Sequence, residues 1–272
     1  MSGLCGEELE IELSYDLICA LKHDTKLNLN QEQVKEFFNS HSADYKQKYN
    51  KKNVFYEYFF FERLEEATNQ LDLDNKFILD VGAGTGPLYD YLDAKGVNLE
   101  NYLATDISNE MMSQGNIPSE QMKNGDLLEL DFNASFDFVF MLGVTTYMNE
   151  ETIRKNFLKI ESLLKPGGTL VVTFTNKKSL DILIRGILKP IARLFSKKET
   201  ILSQKFNTWY YSKNEVVSLV PENLKIKKLA NLNHTFFPLS RLLPSLSVKM
   251  AKNLHRYQNS FLSSDLLFFI HK

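Results

Sequence analysis

The chain has 272 residues, 43% of them hydrophobic and 24% charged, with a formal net charge of -2, which suits one large α/β domain, alone or with a cap. Its two cysteines, Cys5 and Cys19, have no CxxC spacing, so neither a disulfide framework nor a metal site is expected. The acidic start (Glu7, Glu8, Glu10, Glu12) differs from the basic start of a secretory leader. No apolar run reaches the roughly 18 residues of a membrane-spanning helix, and a cytoplasmic location is expected.

Residues 1–30 read as a polar N-terminal extension, and the domain proper is expected over 31–272. Residues 31–71 look helical and carry an aromatic cluster, Phe55, Tyr56, Tyr58, Phe59, Phe60 and Phe61. After that, short β-type runs alternate with helical stretches, the pattern of βαβ units and a mostly parallel sheet. Strands are predicted at Lys76–Val81, Tyr102–Thr105, Gln121–Lys123, Phe136–Leu142 and Thr169–Thr175. Helices are predicted near Leu88–Lys95 and Glu150–Leu164, the second stopped by Lys165-Pro166-Gly167-Gly168. A helix near Lys213–Leu219 and strands near Leu224–Asn231 and Leu266–His271 close the chain. The last two strands are expected to pair antiparallel, with 177–212 and 232–262 inserted as caps.

The sharpest chemical signal is the apolar run Ile78-Leu79-Asp80-Val81 leading into Gly82-Ala83-Gly84-Thr85-Gly86. Glycines at alternate positions between a strand and a helix let the backbone turn sharply and admit a ligand without a Cβ in the way. Asp106 ends the second strand, 20 residues beyond Gly86. A carboxylate there can accept two hydrogen bonds from a ribose diol, which points to a nucleoside without saying which one. It could also cap the helix that begins near Ser108. Gly125-Asp126-Leu127 follows the third strand, where an acidic side chain could accept from an adenine amino group or simply stabilise a turn.

Taken together, Leu79–Gly86, Ala104–Met111, Asn124–Phe132, Phe136–Tyr147 and Leu163–Thr173 resemble the successive motifs of class I S-adenosylmethionine (SAM)-dependent methyltransferases. They fall in that family's order and spacing. Phe37–Tyr49 is similar to the "aromatic, Ala, Tyr" helix of its small-molecule members. The resemblance implies a Rossmann-like, mostly parallel seven-stranded sheet with helices on both faces. It implies SAM as cofactor, with Asp80, Gly82, Ala83, Gly84 and Gly86 cradling its amino acid and ribose parts. Asp106 would hold the ribose hydroxyls and Ile107 would pack on adenine. Asp126 and Leu127 would meet the adenine edge, Leu142 and Gly143 would lie under the sulfonium, and Tyr45 or Tyr49 would close over the methionine end.

The stretch Leu142-Gly143-Val144-Thr145-Thr146-Tyr147 departs from the Asn-Pro-Pro-Tyr-like run of enzymes that methylate amide or adenine nitrogens. No aromatic-and-basic RNA-binding module flanks the domain either. The expected acceptor is therefore a small or lipid-like molecule, methylated on oxygen, and not a nucleic acid. Two other readings remain open at this point. A non-catalytic SAM-binding protein would keep the same loop, and an NAD(P) oxidoreductase would use GxGxxG, whereas the spacing here is Gly82-x-Gly84-x-Gly86. No catalytic base stands out. His234 could serve or be a hydrogen-bonded loop histidine, and Tyr147, Tyr210 and Tyr211 could serve or line a pocket.

The net charge conceals a division. Residues 1–176 carry 15 Lys and Arg against 29 Asp and Glu, a balance of -14, and residues 177–272 carry 17 against 5, a balance of +12. Within the first insertion, Leu180, Leu183, Ile184, Ile187, Leu188, Ile191, Leu194 and Phe195 share one helical face. Lys178, Arg185, Lys189 and Arg193 lie opposite, with Gly186 and Pro190 weakening or kinking the helix. Such a segment either packs on the domain as a lid or gives 177–198 a peripheral contact with an anionic membrane.

Overall fold

The computed structural model describes residues 30–43, 45, 54–195 and 207–272, the side chains of 188–195 excepted. The 1–29 part of the expected extension, and Tyr49, lie outside the described residues. The stretch predicted as helical over 31–71 contains α1 (30–43) and α2 (Val54–Thr68).

The sheet is built from β1 (Ile78–Val81), β2 (Tyr102–Asp106), β3 (Met122–Asn124), β4 (Phe136–Met141), β5 (Leu164–Thr175), β6 (Lys225–His234) and β7 (Ser263–His271). Their order is β3-β2-β1-β4-β5-β7-β6. The β1–β5 pairs are parallel, and β7 runs antiparallel between β5 and β6. The expected α/β architecture, with the last two strands pairing antiparallel, is therefore present.

Strand alternation explains the layers. Val139 and Met141 of β4, Leu170, Val172 and Phe174 of β5, and Leu266, Phe268 and Ile270 of β7 face one side. There they pack on α5 (Glu150–Leu163) and α7 (Lys213–Leu219) through Ile153, Phe157, Ile160, Val216 and Leu219. Phe140, Val171, Leu267 and Phe269 face the other side, with Leu64 and Ala67 of α2 and Leu88 and Leu92 of α3 (Pro87–Ala94). A strand covered on both faces buries consecutive residues, which is why Leu266–Ile270 of β7 reads as a continuous apolar run.

Of the boundaries that differ from the sequence reading, two have a clear physical reason. Lys165-Pro166-Gly167-Gly168 does end α5, but these residues already belong to β5. Leu164 pairs with Phe136 and Thr169 with Phe138, so the four residues bulge out between two rungs of one ladder. β6 runs on to His234, three residues past the predicted end, because Leu232 and His234 still pair with Asp265 and Ser263. After α4 (Asn109–Met112), two segments lie outside the βα repeat. α6 (Leu180–Phe195) follows β5, and α8 (Leu239–Leu242) and α9 (Pro244–His255) lie between β6 and β7, with α9 packed on β6 and α2.

Candidate active site

β1, β2 and β4 end side by side, and the loops after them enclose a cavity of about 160 Å³. Its position, outside the carboxyl ends of parallel strands where the chain order reverses, is the general ligand site of open α/β sheets. The loop after β1 forms its floor. Gly82 and Gly84 have φ of 72° and 55°. A Cβ on Gly82 would lie 2.2 Å from Val144 Cγ1, whereas one on Gly84 would meet only Met111 Cε at 3.5 Å and otherwise open space. The two glycines thus serve different ends: the first permits β1 and β4 to close together, and the second keeps the cavity clear.

Of the site residues expected from the sequence, the cavity brings together Gly82, Ala83, Gly84, Asp106, Ile107, Asp126, Leu127, Leu142 and Gly143. Gly86 does not line it. It precedes α3, and a Cβ there would sit 2.9 Å from Ile117, so close packing is what this position demands. Asp80 borders a smaller adjoining hollow, and its carboxylate accepts the Tyr102 hydroxyl at 2.6 Å.

Asp106 holds the loop together. Its two carboxylate oxygens accept the Gly84 N–H and the Ser108 N–H, each at 2.8 Å. The cap of α4 is Ser108, whose hydroxyl accepts the Met111 N–H, and not Asp106. Each carboxylate oxygen has two lone pairs, so Asp106 keeps acceptor capacity toward the cavity.

α1 closes the mouth. Gln31 donates to Asp126 at 2.7 Å, and Ser108 donates to Asn39 at 2.6 Å. Phe38 stacks edge-on against Tyr45 and Tyr147, with centroids 5.8 and 5.3 Å away. Tyr45 and Tyr147 line the cavity. Tyr211 is buried with its hydroxyl donated to the Met148 carbonyl, and Tyr210 is surface-exposed. His234 is fully buried and does not line the cavity, so it is neither a loop histidine nor placed to act there as a base.

Arg63 is the charged cavity-lining residue that the sequence reading missed. Its side chain pairs with Asp265 at 2.7 Å and reaches the cavity beside Gly143, where a Cβ would lie 2.7 Å from Arg63 Nη1. Gly143 therefore makes room for a guanidinium. The available signal was one basic side chain on an otherwise aromatic and acidic helix.

Burial raises the Asp80 carboxyl to about 7, partly opposed by the Tyr102 hydroxyl and reinforced by the charge of Asp106. Burial raises Asp106 too, against the pull of the Ser108 and Gly84 amides. A carboxyl that is harder to ionise in the folded state binds more protons there. Its contribution is complete below the unfolded value near 4 and is lost as pH rises to about 7. The ligand-free protein should therefore lose stability across that interval, by at most about 1.4 kcal/mol per pH unit from this one group. Asp80→Asn should flatten the decline in urea midpoints measured from pH 4.5 to 8. An identical slope in the variant would remove Asp80 as its source.

The family model described as "Methyltransferase domain" matches residues 79–172, the span from β1 to the middle of β5. Residues 79–172 therefore match a methyltransferase domain. No curated protein sequence matches the chain. Among solved structures, it resembles magnesium protoporphyrin IX methyltransferase from Synechocystis PCC 6803 with bound S-adenosylhomocysteine. The TM-score is 0.60 at 16% identity, over 89% of this chain and 99% of that one. A possible histamine N-methyltransferase from Thermotoga maritima gives 0.53 at 16%, over 88% and 99%. The N-methyltransferase NodS from Bradyrhizobium japonicum gives 0.55 at 13%, over 88% and 98%. At such identities the likeness is one of fold. The methyltransferase cofactor is SAM, and the glycine floor, the carboxylate of Asp106 and the space left by Gly84 fit a nucleoside carrying an amino acid tail.

Proposed function

We propose that this methyltransferase moves the methyl group of SAM to an oxygen of a small or lipid-like acceptor presented at an anionic membrane surface. The observation that carries the first half is the cavity itself, which gathers nine of the residues expected to hold SAM at one edge of the sheet. In this reading Asp106 accepts the ribose hydroxyls, Ile107 and Leu127 flank adenine, and Asp126 meets its amino edge. Gly82, Ala83 and Gly84 let the backbone approach, and Leu142 and Gly143 lie under the sulfonium. Arg63 is a fitting partner for the carboxylate of the methionine tail. SAM supplies a methyl already activated by the positive charge on sulfur. The chain's own residues then align the acceptor and exclude water, the latter through the aromatic closure of Phe38, Tyr45 and Tyr147. Oxygen is favoured because Leu142–Tyr147 lacks an Asn-Pro-Pro-Tyr-like run.

The membrane half rests on α6 and its surroundings. Leu183 and Ile187 are 55% and 63% exposed, so this part of the apolar face is not covered by the domain. Asp181 accepts the Phe237 N–H and Leu180 donates to the Phe261 carbonyl, which ties the start of α6 to the second insertion. There Leu242, Leu243, Leu246 and Phe261 are exposed as well. Apolar side chains on a part of the chain with a charge balance of +12 match an anionic interface. The described residues before α7 meet the loop that lines the cavity, the Trp209 N–H donating to the Thr146 carbonyl at 2.8 Å beside Tyr147. No helix among the described residues is long and apolar enough to cross a membrane.

Two measurements test the proposal. Calorimetric titration should show binding of SAM and S-adenosylhomocysteine but not NADH or NADPH, and transfer of labelled methyl from SAM into a lipid extract should follow. Binding without any transfer would favour a non-catalytic SAM-binding protein. Co-sedimentation should occur with anionic but not neutral liposomes. It should weaken in high salt and in a Leu183→Gln, Ile187→Gln protein. Failure to sediment with anionic liposomes at low salt would leave α6 as a lid only.

A further inference from the structure

We propose that Glu62, His234 and His255 form a structural site for a divalent transition-metal ion of the zinc type, separate from the methyl-transfer cavity. Glu62 comes from α2, His234 is the last residue of β6 and His255 is the last of α9. One ligand atom from each lies within 4.8 Å of the others. None of the three lines the cavity.

His234 carries the argument. It is 0% exposed, and neither ring nitrogen has a hydrogen-bond partner among the described residues. A neutral imidazole brings one donor and one acceptor, and native interiors rarely leave both unsatisfied. The ring meets His255 edge-on, with centroids 5.7 Å apart, a contact that satisfies neither nitrogen. A metal ion is a partner that an imidazole nitrogen takes readily.

The surroundings fit that partner. His255 places Nδ1 3.0 Å from Glu62 Oε1 and Nε2 3.4 Å from Glu66 Oε1. Two imidazoles and a carboxylate are the borderline donor set preferred by zinc, with a water available as the fourth ligand and Glu66 placed to orient the His255 ring from its Nε2 side. Metal–ligand lengths of about 2.0–2.2 Å bring tetrahedral donors roughly 3.4 Å apart. The longest gap in the cluster therefore has to contract by about 1.4 Å from its upper bound, which is within reach of side-chain rotation. Outer hydrogen bonds already orient the carboxylate. Glu62 accepts the Tyr58 hydroxyl at 2.7 Å and the Asn233 N–H at 2.8 Å.

The ion would pin α9 to β6 and α2. That matters for the cavity because Arg63 follows Glu62 directly. Asn233 also donates to Asp265, the carboxylate that pairs with Arg63, at 3.1 Å. The site thus fixes the mounting of Arg63 without touching substrate. The cysteine count gave no hint of it, since the three ligands are scattered over the chain and none is a thiol.

The test uses the full-length protein after chelator treatment, titrated with Zn²⁺ or Co²⁺. One equivalent should bind per chain, with visible d–d absorption for Co²⁺. Zn²⁺ should raise the melting temperature, because binding favours the folded state. His255→Gln and Glu62→Gln should each weaken Zn²⁺ binding at least a hundredfold and abolish the thermal shift, while circular dichroism in chelator confirms that each variant is folded. Three results would overturn the site: no stoichiometric binding to the folded protein, binding that both variants leave unchanged, or a thiolate charge-transfer band assigning Co²⁺ to Cys5 or Cys19.

Discussion

Gly84→Val is expected to abolish SAM binding, with at least a hundredfold loss of affinity, while leaving the methyltransferase folded. The expectation follows from what a side chain at this position would meet. A Cβ on Gly84 has only Met111 Cε near it, at 3.5 Å, and the rest of the valine would project into the cavity. The φ of 55° costs an L residue about 1–2 kcal/mol, more when β-branched. A domain of ordinary stability, about 5–15 kcal/mol, survives that. Gly82→Ala is the informative contrast. Its methyl would lie 2.2 Å from Val144 Cγ1, so the fold itself should suffer before any ligand is added. Calorimetry with SAM and thermal melts of both variants separate the two cases. A Gly84→Val protein with the affinity of the parent would show that SAM does not lie over this loop.

Much of the fold was legible because its signals are local. The β1–glycine loop–α3 unit lies within Ile78–Ala94 and the β4 run within Phe136–Met141, each a single stretch of the chain. What was not legible depends on distant partners. Lys165–Gly168 read as a breaker because Pro and Gly usually end pairing, but β4 supplies rungs on either side and tolerates the bulge. β6 extends to His234 only because β7 begins at Ser263 beside it. His234 looked like a loop residue in Asn231-Leu232-Asn233-His234-Thr235, and is buried by α9 and α2 closing over it.

The site divides in the same way. Strand-end positions such as Asp106, Asp126 and Leu142 follow from motif order. Arg63 joins them through an ion pair with Asp265, 202 residues away, and no spacing rule finds that. The apolar stripe of α6 was visible as a pattern, but whether the domain covers it depended on tertiary structure, and Leu183 and Ile187 remain exposed.

The second large effect is expected from Asp106→Ala. If Asp106 accepts the ribose hydroxyls, removing a charged acceptor should cost about 1.5–3 kcal/mol of SAM binding, or roughly 10- to 150-fold in affinity. The structure adds a complication, since the same carboxylate accepts the Gly84 and Ser108 amides. Alanine would release those amides and loosen the loop, so a weaker affinity alone could come from either cause. A thermodynamic cycle separates them. S-adenosylhomocysteine and its 2′,3′-dideoxy analogue are titrated into the parent and into Asp106→Ala. The parent should prefer the natural ribose by tenfold or more, and the variant should bind both analogues alike, because the hydroxyls have lost their acceptor. A variant that still discriminates as strongly as the parent would show that Asp106 organises the loop without touching the ribose. The assignment of the nucleoside to this carboxylate would then be withdrawn.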